Sequence, residues 1–124
     1  LLTMWSRGVS GFAYYFWEGR LPGEKMLSND FKSYTASGRA YMRAASWLKD
    51  ARVVDGYRTE QGVHVVRLER DARPFQILWS VAEPVTVRLP EAWQAHRIAR
   101  LDGSKGEIST DQRVVVTGEP VLID

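Results

Sequence analysis

The hydrophobic period of the chain changes after residue 50, and this change constrains the fold more than any other feature of the sequence. Beyond that point apolar and polar residues alternate over short stretches, at 63–68, 75–81, 85–89, 114–116 and 121–123. Turn-forming residues separate the stretches at 60–62, 71–74, 102–103 and 117–118. Short strands with a turn every ~8–12 residues are typical of an antiparallel sandwich or barrel, here of about six or seven strands.

The same alternation predicts which side chains of these strands form the core. Phe75, Ile77 and Trp79 share one face of their strand, whereas Gln76 and Ser80 share the other. We therefore expect the sandwich core to be lined by the apolar set Phe75, Ile77, Trp79, Val85, Val87 and Leu89.

A helix is predicted immediately before this region, over residues 33–50. Apolar residues recur there at helical spacing, and they form one continuous face of Tyr34, Tyr41, Ala44, Ala45, Trp47 and Leu48. Ser33 or Thr35 can cap the start of the helix. A glycine inside a helix costs about 1 kcal/mol relative to alanine, so Gly38 indicates close packing at that point.

The first residues of the chain have a different pattern. Residues 1–7 resemble the end of a helix, and residues 9–17 are aromatic and apolar on both faces, which is typical of a strand covered on both sides in a parallel sheet. Residues 18–32 are rich in glycine, proline and small polar residues and are predicted to form a loop. We therefore divide the chain into a strand–loop–helix unit at 1–50 and an antiparallel β-sandwich at 51–124.

Composition excludes several classes of protein. In 124 residues, 44% are hydrophobic and 26% charged, as in a folded domain. The net charge of +2 gives no electrostatic footprint for nucleic acid, and no apolar run reaches the ~18 residues of a membrane span. Without cysteine the chain has no disulfide, thiolate metal site or thiol nucleophile. The cellular compartment stays open, with a secreted or periplasmic parent as one alternative.

Five stretches, in this order, resemble the C-terminal end of clan A glycoside hydrolases: 9–18, 34–48, 75–80, 100–103 and 118–123. In that clan a catalytic (β/α)8 barrel is followed by a β-sandwich. The resemblance implies that residues 1–50 are the last β/α unit of the barrel and that carbohydrate is the ligand. The clan's two catalytic glutamates follow the fourth and seventh barrel strands, so both would lie upstream of this chain. The resemblance therefore implies an inactive C-terminal fragment of a glycosidase.

The candidate site residues follow from the same picture. Glu18 stands where a barrel strand delivers a side chain to the active face; the alternative is a loop carboxylate paired with Arg20. Trp17 can stack on a sugar ring and Tyr15 shares its face, unless both simply pack in a core. Trp93 lies in a connection between strands and is free to be exposed.

The sequence gives only weak indications of a metal site or of an arginine-based site. His64 and His96 are far apart with no spaced carboxylate partner, so we predict no metal and no cofactor. The arginines at 67, 70, 73, 97 and 100 are scattered among acids, and we interpret them as solvated faces with surface ion pairs.

Two other functions remain open. One is a carbohydrate-binding module in which Trp79 or Trp93 grips a glycan. The other is a small stand-alone glycosidase that uses Glu18 within an oligomer. A homo-oligomer through residues 1–50 is expected in any case, because residues 9–17 have unpaired edges and two apolar faces. The rival is a monomer in which this strand folds back onto the chain's own sandwich.

Overall fold

The computed structural model describes residues 25–124 of the chain. They divide into two compact units, 25–49 with 101–103, and 50–100 with 104–124. The expected helix end at 1–7, the strand at 9–17 and the first part of the loop lie outside the described residues. Within the described part of the chain, no helix has the length and apolarity needed to cross a membrane.

The first unit contains helix α1, Ala36–Leu48. Thr35 caps it, since its side-chain oxygen accepts a hydrogen bond of 3.1 Å from the backbone N–H of Gly38. At the other end the N–H of Lys49 reaches the carbonyl of Ala45 at 3.0 Å, and the chain then leaves the helix through Asp50 at φ 57°. The prediction of the helix and of Thr35 as one of two possible caps is confirmed.

Gly38 packs against the backbone of the loop that precedes the helix. A Cβ atom at this position would lie 2.0 Å from the carbonyl oxygen of Met26, so only glycine fits. The same carbonyl accepts a hydrogen bond of 3.0 Å from the N–H of Thr35, which holds the loop against the first turn. The close packing predicted from Gly38 is therefore confirmed.

The second unit consists of strands joined by short turns, with one short 3-10 helix, Glu91–Trp93. The strands of the described chain are β1 (Arg52–Arg58), β2 (Val63–Arg70), β3 (Arg73–Ser80), β4 (Val85–Arg88), β5 (Arg97–Arg100), β6 (Lys105–Glu107), β7 (Arg113–Val116) and β8 (Val121–Ile123). One sheet has six strands in the order β1-β2-β3-β8-β5-β6, and the other pairs β4 with β7. Every pairing is antiparallel. The prediction of a mainly β, antiparallel fold is confirmed.

Three strands are missing from the sequence prediction: β1, β5 and β6. Six of the seven residues of β1 and all three of β6 are exposed, because these strands form the two edges of the larger sheet. An exposed edge strand carries polar residues and shows no apolar alternation, which is why its sequence gives no strand signal.

The core of the second unit is built from residues of both sheets. It consists of Val63, Val65, Leu78, Leu89, Ala95, Ile98, Val114, Val116, Val121 and Ile123, with the partly buried Val85, Val87, Trp93 and Ile108 against it. The expected roles of Val85, Val87 and Leu89 agree with this arrangement.

The expected burial of Phe75, Ile77 and Trp79 is confirmed, although these residues do not belong to the cluster between the two sheets. Leu78 belongs to the core cluster, and successive side chains of a strand point to opposite faces, so these three residues lie on the other face of β3. They are nevertheless buried, with 7%, 0% and 8% of their surface exposed. Both faces of β3 are therefore buried, and for this reason its sequence does not show which face meets the second sheet.

The β2–β3 hairpin closes with a loop of two residues. Arg70 faces Arg73 in the register, which leaves Asp71 and Ala72 as the loop, at φ 50° and 61°. The expected turn at 71–74 is thus shorter, and Arg73 and Pro74 belong to β3. A two-residue loop with positive φ at both positions has the twist that antiparallel strands need, and it normally carries glycine at the second position.

Replacing Ala72 with glycine should therefore stabilise the protein. A residue other than glycine in the left-handed region destabilises the folded protein by about 1–3 kcal/mol. Glycine removes this strain, but its greater conformational freedom in the unfolded chain lowers stability by about 0.4–1 kcal/mol, so the net effect is smaller than the strain that is removed. We expect Ala72→Gly to raise the free energy of unfolding by about 1 kcal/mol in urea denaturation. The matched control is Ala82→Gly in an exposed bend without positive φ, which should lower it. Equal effects of the two variants would contradict the assigned loop.

An arginine-lined pocket as candidate functional site

Three of the four predicted site residues, Tyr15, Trp17 and Glu18, lie outside the described residues and stay predictions. The fourth, Trp93, ends the 3-10 helix and is followed by Gln94 in the left-handed region. Trp93 is half-buried and packs against the core cluster, so only part of its indole is accessible. It contributes to packing and is also partly accessible to a ligand.

The second tryptophan considered for glycan binding, Trp79, has only 8% of its surface exposed. Its cross-strand partner is His64, and the two rings stack with centroids 5.0 Å apart and planes 5° from parallel. Because the indole of Trp79 is stacked and buried, it presents no flat aromatic surface to a sugar. Trp79 is therefore a packing residue, as one of the two sequence interpretations had it.

Histidines and carboxylates do not assemble into a metal site in the described part of the chain. His64 is occupied by its stack on Trp79, while His96 is exposed. No group of three or more His, Cys, Asp or Glu side chains within residues 25–124 is placed to hold a metal ion.

A pocket opens where the β2–β3 hairpin meets β5 and β8, with a volume of about 390 Å³. Its lining is Arg70, Asp71, Arg73, Pro74, Phe75, Arg97, Leu122 and Asp124. All these residues belong to the second unit. The position follows from the register of the sheet: β8 pairs with β3 only over Gln76–Leu78, whereas the pairing of β2 with β3 continues to Arg70 and Arg73.

Charged and apolar groups share this lining. Arg97 forms an ion pair with Asp124 at 3.2 Å, and their backbones exchange hydrogen bonds of 2.8 and 3.1 Å. The guanidinium carbon of Arg70 lies 5.2 Å from the centroid of the Phe75 ring, within the range of a cation–π contact. This contact uses one face of the ring and fixes the guanidinium at the pocket wall.

Arg73 differs from its neighbours in the pocket. Among residues 25–124 its side chain makes no hydrogen bond and no ion pair, although it lies directly opposite Arg70 across the hairpin. Like charges that face each other across an antiparallel pair destabilise it. The register of the sheet therefore places Arg73 beside the positive charge of Arg70, and Arg73 has no counter-charge among the described residues.

A second arginine pair in the same protein shows the contrast. Arg88 faces Arg113 across β4 and β7, in the same type of cross-strand position. Here each arginine has its own acid, since Arg88 lies 3.6 Å from Glu91 and Arg113 lies 3.7 Å from Asp111. The local sequence can thus neutralise such a pair, and it does not do so at Arg73.

Carboxyl groups outside the pocket are held in the charged form. Hydrogen bonds from the Ser28 hydroxyl, chiefly, and from the Lys32 N–H lower the pKa of Asp30. A hydrogen bond of 2.5 Å from the Ser109 hydroxyl lowers the pKa of Asp111. A carboxyl group with a lowered pKa is a poor general acid at neutral pH, so neither residue suits proton donation to a leaving group.

The chemistry that the lining of the pocket can offer is binding of an anion. Guanidinium groups keep their protons in proteins and act as hydrogen-bond donors, and they match the geometry of carboxylate and phosphate. Sequence reasoning missed this pocket, because it interpreted the arginines at 67, 70, 73, 97 and 100 as separate solvated faces with surface ion pairs and did not bring any of them together. That interpretation is right for Arg67 and Arg97, which pair with Asp55 at 3.0 Å and with Asp124 at 3.2 Å. The missing signal was the register that places Arg73 beside Arg70.

Truncation of Trp79 should be costly, because the ring is buried and stacked. Large-to-alanine changes of buried aromatic residues cost about 3–5 kcal/mol, and we expect this loss of unfolding free energy for Trp79→Ala in urea denaturation. Trp93→Ala is the matched control, and its half-buried ring should cost about half as much. A loss below about 1 kcal/mol at Trp79 would instead assign that ring to the surface and to glycan contact.

Comparison of the chain with protein-family models, with curated proteins and with solved structures finds no match. Any assignment of function to this chain therefore depends on its own residues and their arrangement.

Proposed function

We propose that this chain is the C-terminal part of a glycoside hydrolase, in which the β-sandwich is an accessory domain that supports a catalytic barrel. Residues 1–50 would contribute the last β/α unit of that barrel, and carbohydrate would be the ligand of the parent enzyme. In this proposal the chain by itself hydrolyses nothing, because the two catalytic glutamates belong to barrel strands upstream.

The positions of the resembling stretches support this proposal. Residues 34–48 overlap helix α1, and residues 75–80 lie within β3. Residues 101–103 form the turn between β5 and β6, and β8 lies within residues 118–123. The four stretches within residues 25–124 thus fall on elements of the kind that the resemblance implies, in the same order along the chain, and the first stretch, 9–18, lies outside the described residues.

The observation that carries the proposal is the burial of both faces of β2 and β3. One face contributes Val63, Val65 and Leu78 to the core between the sheets. On the other face, Val66, Leu68 and Ile77 are exposed by no more than 3% of their surface. An antiparallel sheet of a small independent module commonly keeps one face wet, whereas this sheet has no wet face at its centre. Such a sheet agrees with a supporting domain that packs inside a larger enzyme.

A carbohydrate-binding module is the second candidate. The partial exposure of Trp93 and the arginine-lined pocket favour it, since both offer a ligand something to contact. Against it stands the burial of Trp79, which removes the flat aromatic surface that such modules use. Pull-down on insoluble glycans separates the two candidates, because only the binding module should be retained.

The expected homo-oligomer remains part of the proposal. Its interface would lie in residues 1–50, most of which precede the described part of the chain, and it would replace the missing strands of the barrel. A mass in light scattering that equals one chain at every concentration would contradict it.

The purified chain should hydrolyse aryl glycosides no faster than buffer does, because in this proposal both catalytic glutamates belong to barrel strands that precede this chain. The measurement is the release of nitrophenol from a panel of aryl glycosides at neutral pH. The matched variant is Glu18→Gln. Turnover by the natural chain that disappears in this variant would instead favour the small stand-alone glycosidase.

The most direct test of the proposal is the coding region upstream of Leu1. It should encode a (β/α)8 barrel with glutamates after its fourth and seventh strands. An upstream region that encodes an unrelated domain would overturn the glycoside hydrolase proposal, whatever the pocket binds.

A further inference from the structure

We propose that Phe31, in the loop that precedes helix α1, contacts a sugar ring of the parent enzyme's substrate. This inference rests on the proposed function, because it takes residues 1–50 as the last β/α unit of a catalytic barrel. It concerns the first unit alone, whose loop the structure describes from residue 25 onward.

The backbone of Phe31 has a conformation that its side chain disfavours. Among residues 25–124, six residues other than glycine have a positive φ, and Phe31, at 58°, is the only aromatic one. Short polar residues such as asparagine and aspartate adopt this conformation most readily, whereas it is a clear outlier for a bulky residue. Strain of this kind persists only where the surrounding structure imposes it, and it is concentrated at functional sites.

Hydrogen bonds within the loop impose the conformation. The N–H of Phe31 donates to the carbonyl of Ser28 at 2.9 Å, and the N–H of Ser28 donates to the carbonyl of Ser33 at 2.8 Å. Leu27 and Tyr34 form an antiparallel bridge that closes the loop. The position of Phe31 is therefore fixed before a ligand arrives, so a contact made by its ring costs little further ordering on binding.

The ring of Phe31 is available to a ligand. Its exposed fraction is 59%, which is larger than that of the other exposed large apolar residues in 25–49, Tyr34 and Met42. Its neighbours in the chain, Asp30 and Lys32, are exposed as well and carry hydrogen-bonding groups. An aromatic face beside such groups suits a sugar ring, because the C–H face of the ring is apolar and its rim carries hydroxyl groups.

The place of the loop in the chain favours the substrate as the ligand. In a (β/α)8 barrel the loops that lead from a strand to the next helix build the active face. If residues 9–17 are the last strand, this loop covers residues 18–35, and it is much longer than the roughly 2–6 residues usual for such a connection. Long loops of this kind usually have a function such as binding.

The test compares Phe31→Ala with Phe31→Gly in the parent enzyme, expressed with its upstream region. Both variants remove the ring, but only glycine also relieves the backbone. For the nitrophenyl glycoside that the enzyme hydrolyses fastest, we expect KM to rise about fivefold in both variants with kcat unchanged, the loss of one stacked ring. In urea denaturation of the present chain, the unfolding constant of Phe31→Gly should be about fivefold smaller than that of Phe31→Ala.

Two further variants complete the comparison. Phe31→Tyr keeps an aromatic ring and should keep the KM of the natural enzyme. Met42→Ala removes an exposed apolar side chain of helix α1 and should also leave KM unchanged. Binding should thus follow the presence of the ring at position 31, while stability follows the backbone there.

An active enzyme whose KM is unchanged in Phe31→Ala would overturn the contact and leave the glycoside hydrolase proposal standing. A KM that rises in Phe31→Ala but not in Phe31→Gly would overturn it too, because activity would then follow stability. A lower mass of Phe31→Ala in light scattering would place the ring in an interface between copies instead. An upstream region without a barrel, or no turnover of any aryl glycoside in the panel, would refute the proposed function and this inference with it.

Discussion

The pairing of β2 with β3 is the interaction on which the rest of the second unit depends. Eight residue pairs, from Val63 opposite Ser80 to Arg70 opposite Arg73, hold the two strands in one register. A shift of one residue would exchange the two faces of a strand. Here both faces are apolar and buried at the centre, so the alternation of polarity alone does not select the register. The two-residue loop at Asp71 and Ala72 supplies that selection, because its length fixes which residues face each other.

The rest of the sheet is arranged around this hairpin. β1 lies on one side of it and β8 on the other, and β5 and β6 continue the sheet beyond β8. The outer strands are polar and carry exposed ion pairs such as Arg52 with Glu69 at 3.2 Å, which contribute little to stability. Their charges act mainly against edge-to-edge association of the sheet. The pocket forms beside the hairpin loop, at the end of β3 beyond its pairing with β8.

Local features of this protein could be predicted from sequence, and features that depend on distant strands could not. Helix α1, its cap at Thr35 and the close approach at Gly38 follow from residues within a few positions of one another. At β3, the run from Phe75 to Ser80 is compatible with either face being inward, and the choice depends on which strands cover each face. The arginine-lined pocket combines residues 70–75 with 97, 122 and 124, so only the sheet order brings its members together. The first candidate residues, Tyr15, Trp17 and Glu18, stay predictions.

Native-state hydrogen exchange tests most directly the claim that the doubly buried hairpin is the stable centre of the unit. Backbone amides hydrogen-bonded between β2 and β3 should exchange only through global unfolding, with the free energy that urea denaturation gives. Amides of the edge strand β6, Lys105–Glu107, should exchange through local opening at a much lower free energy. Exchange of the β2–β3 amides at a free energy equal to or below that of the β6 amides would contradict the account.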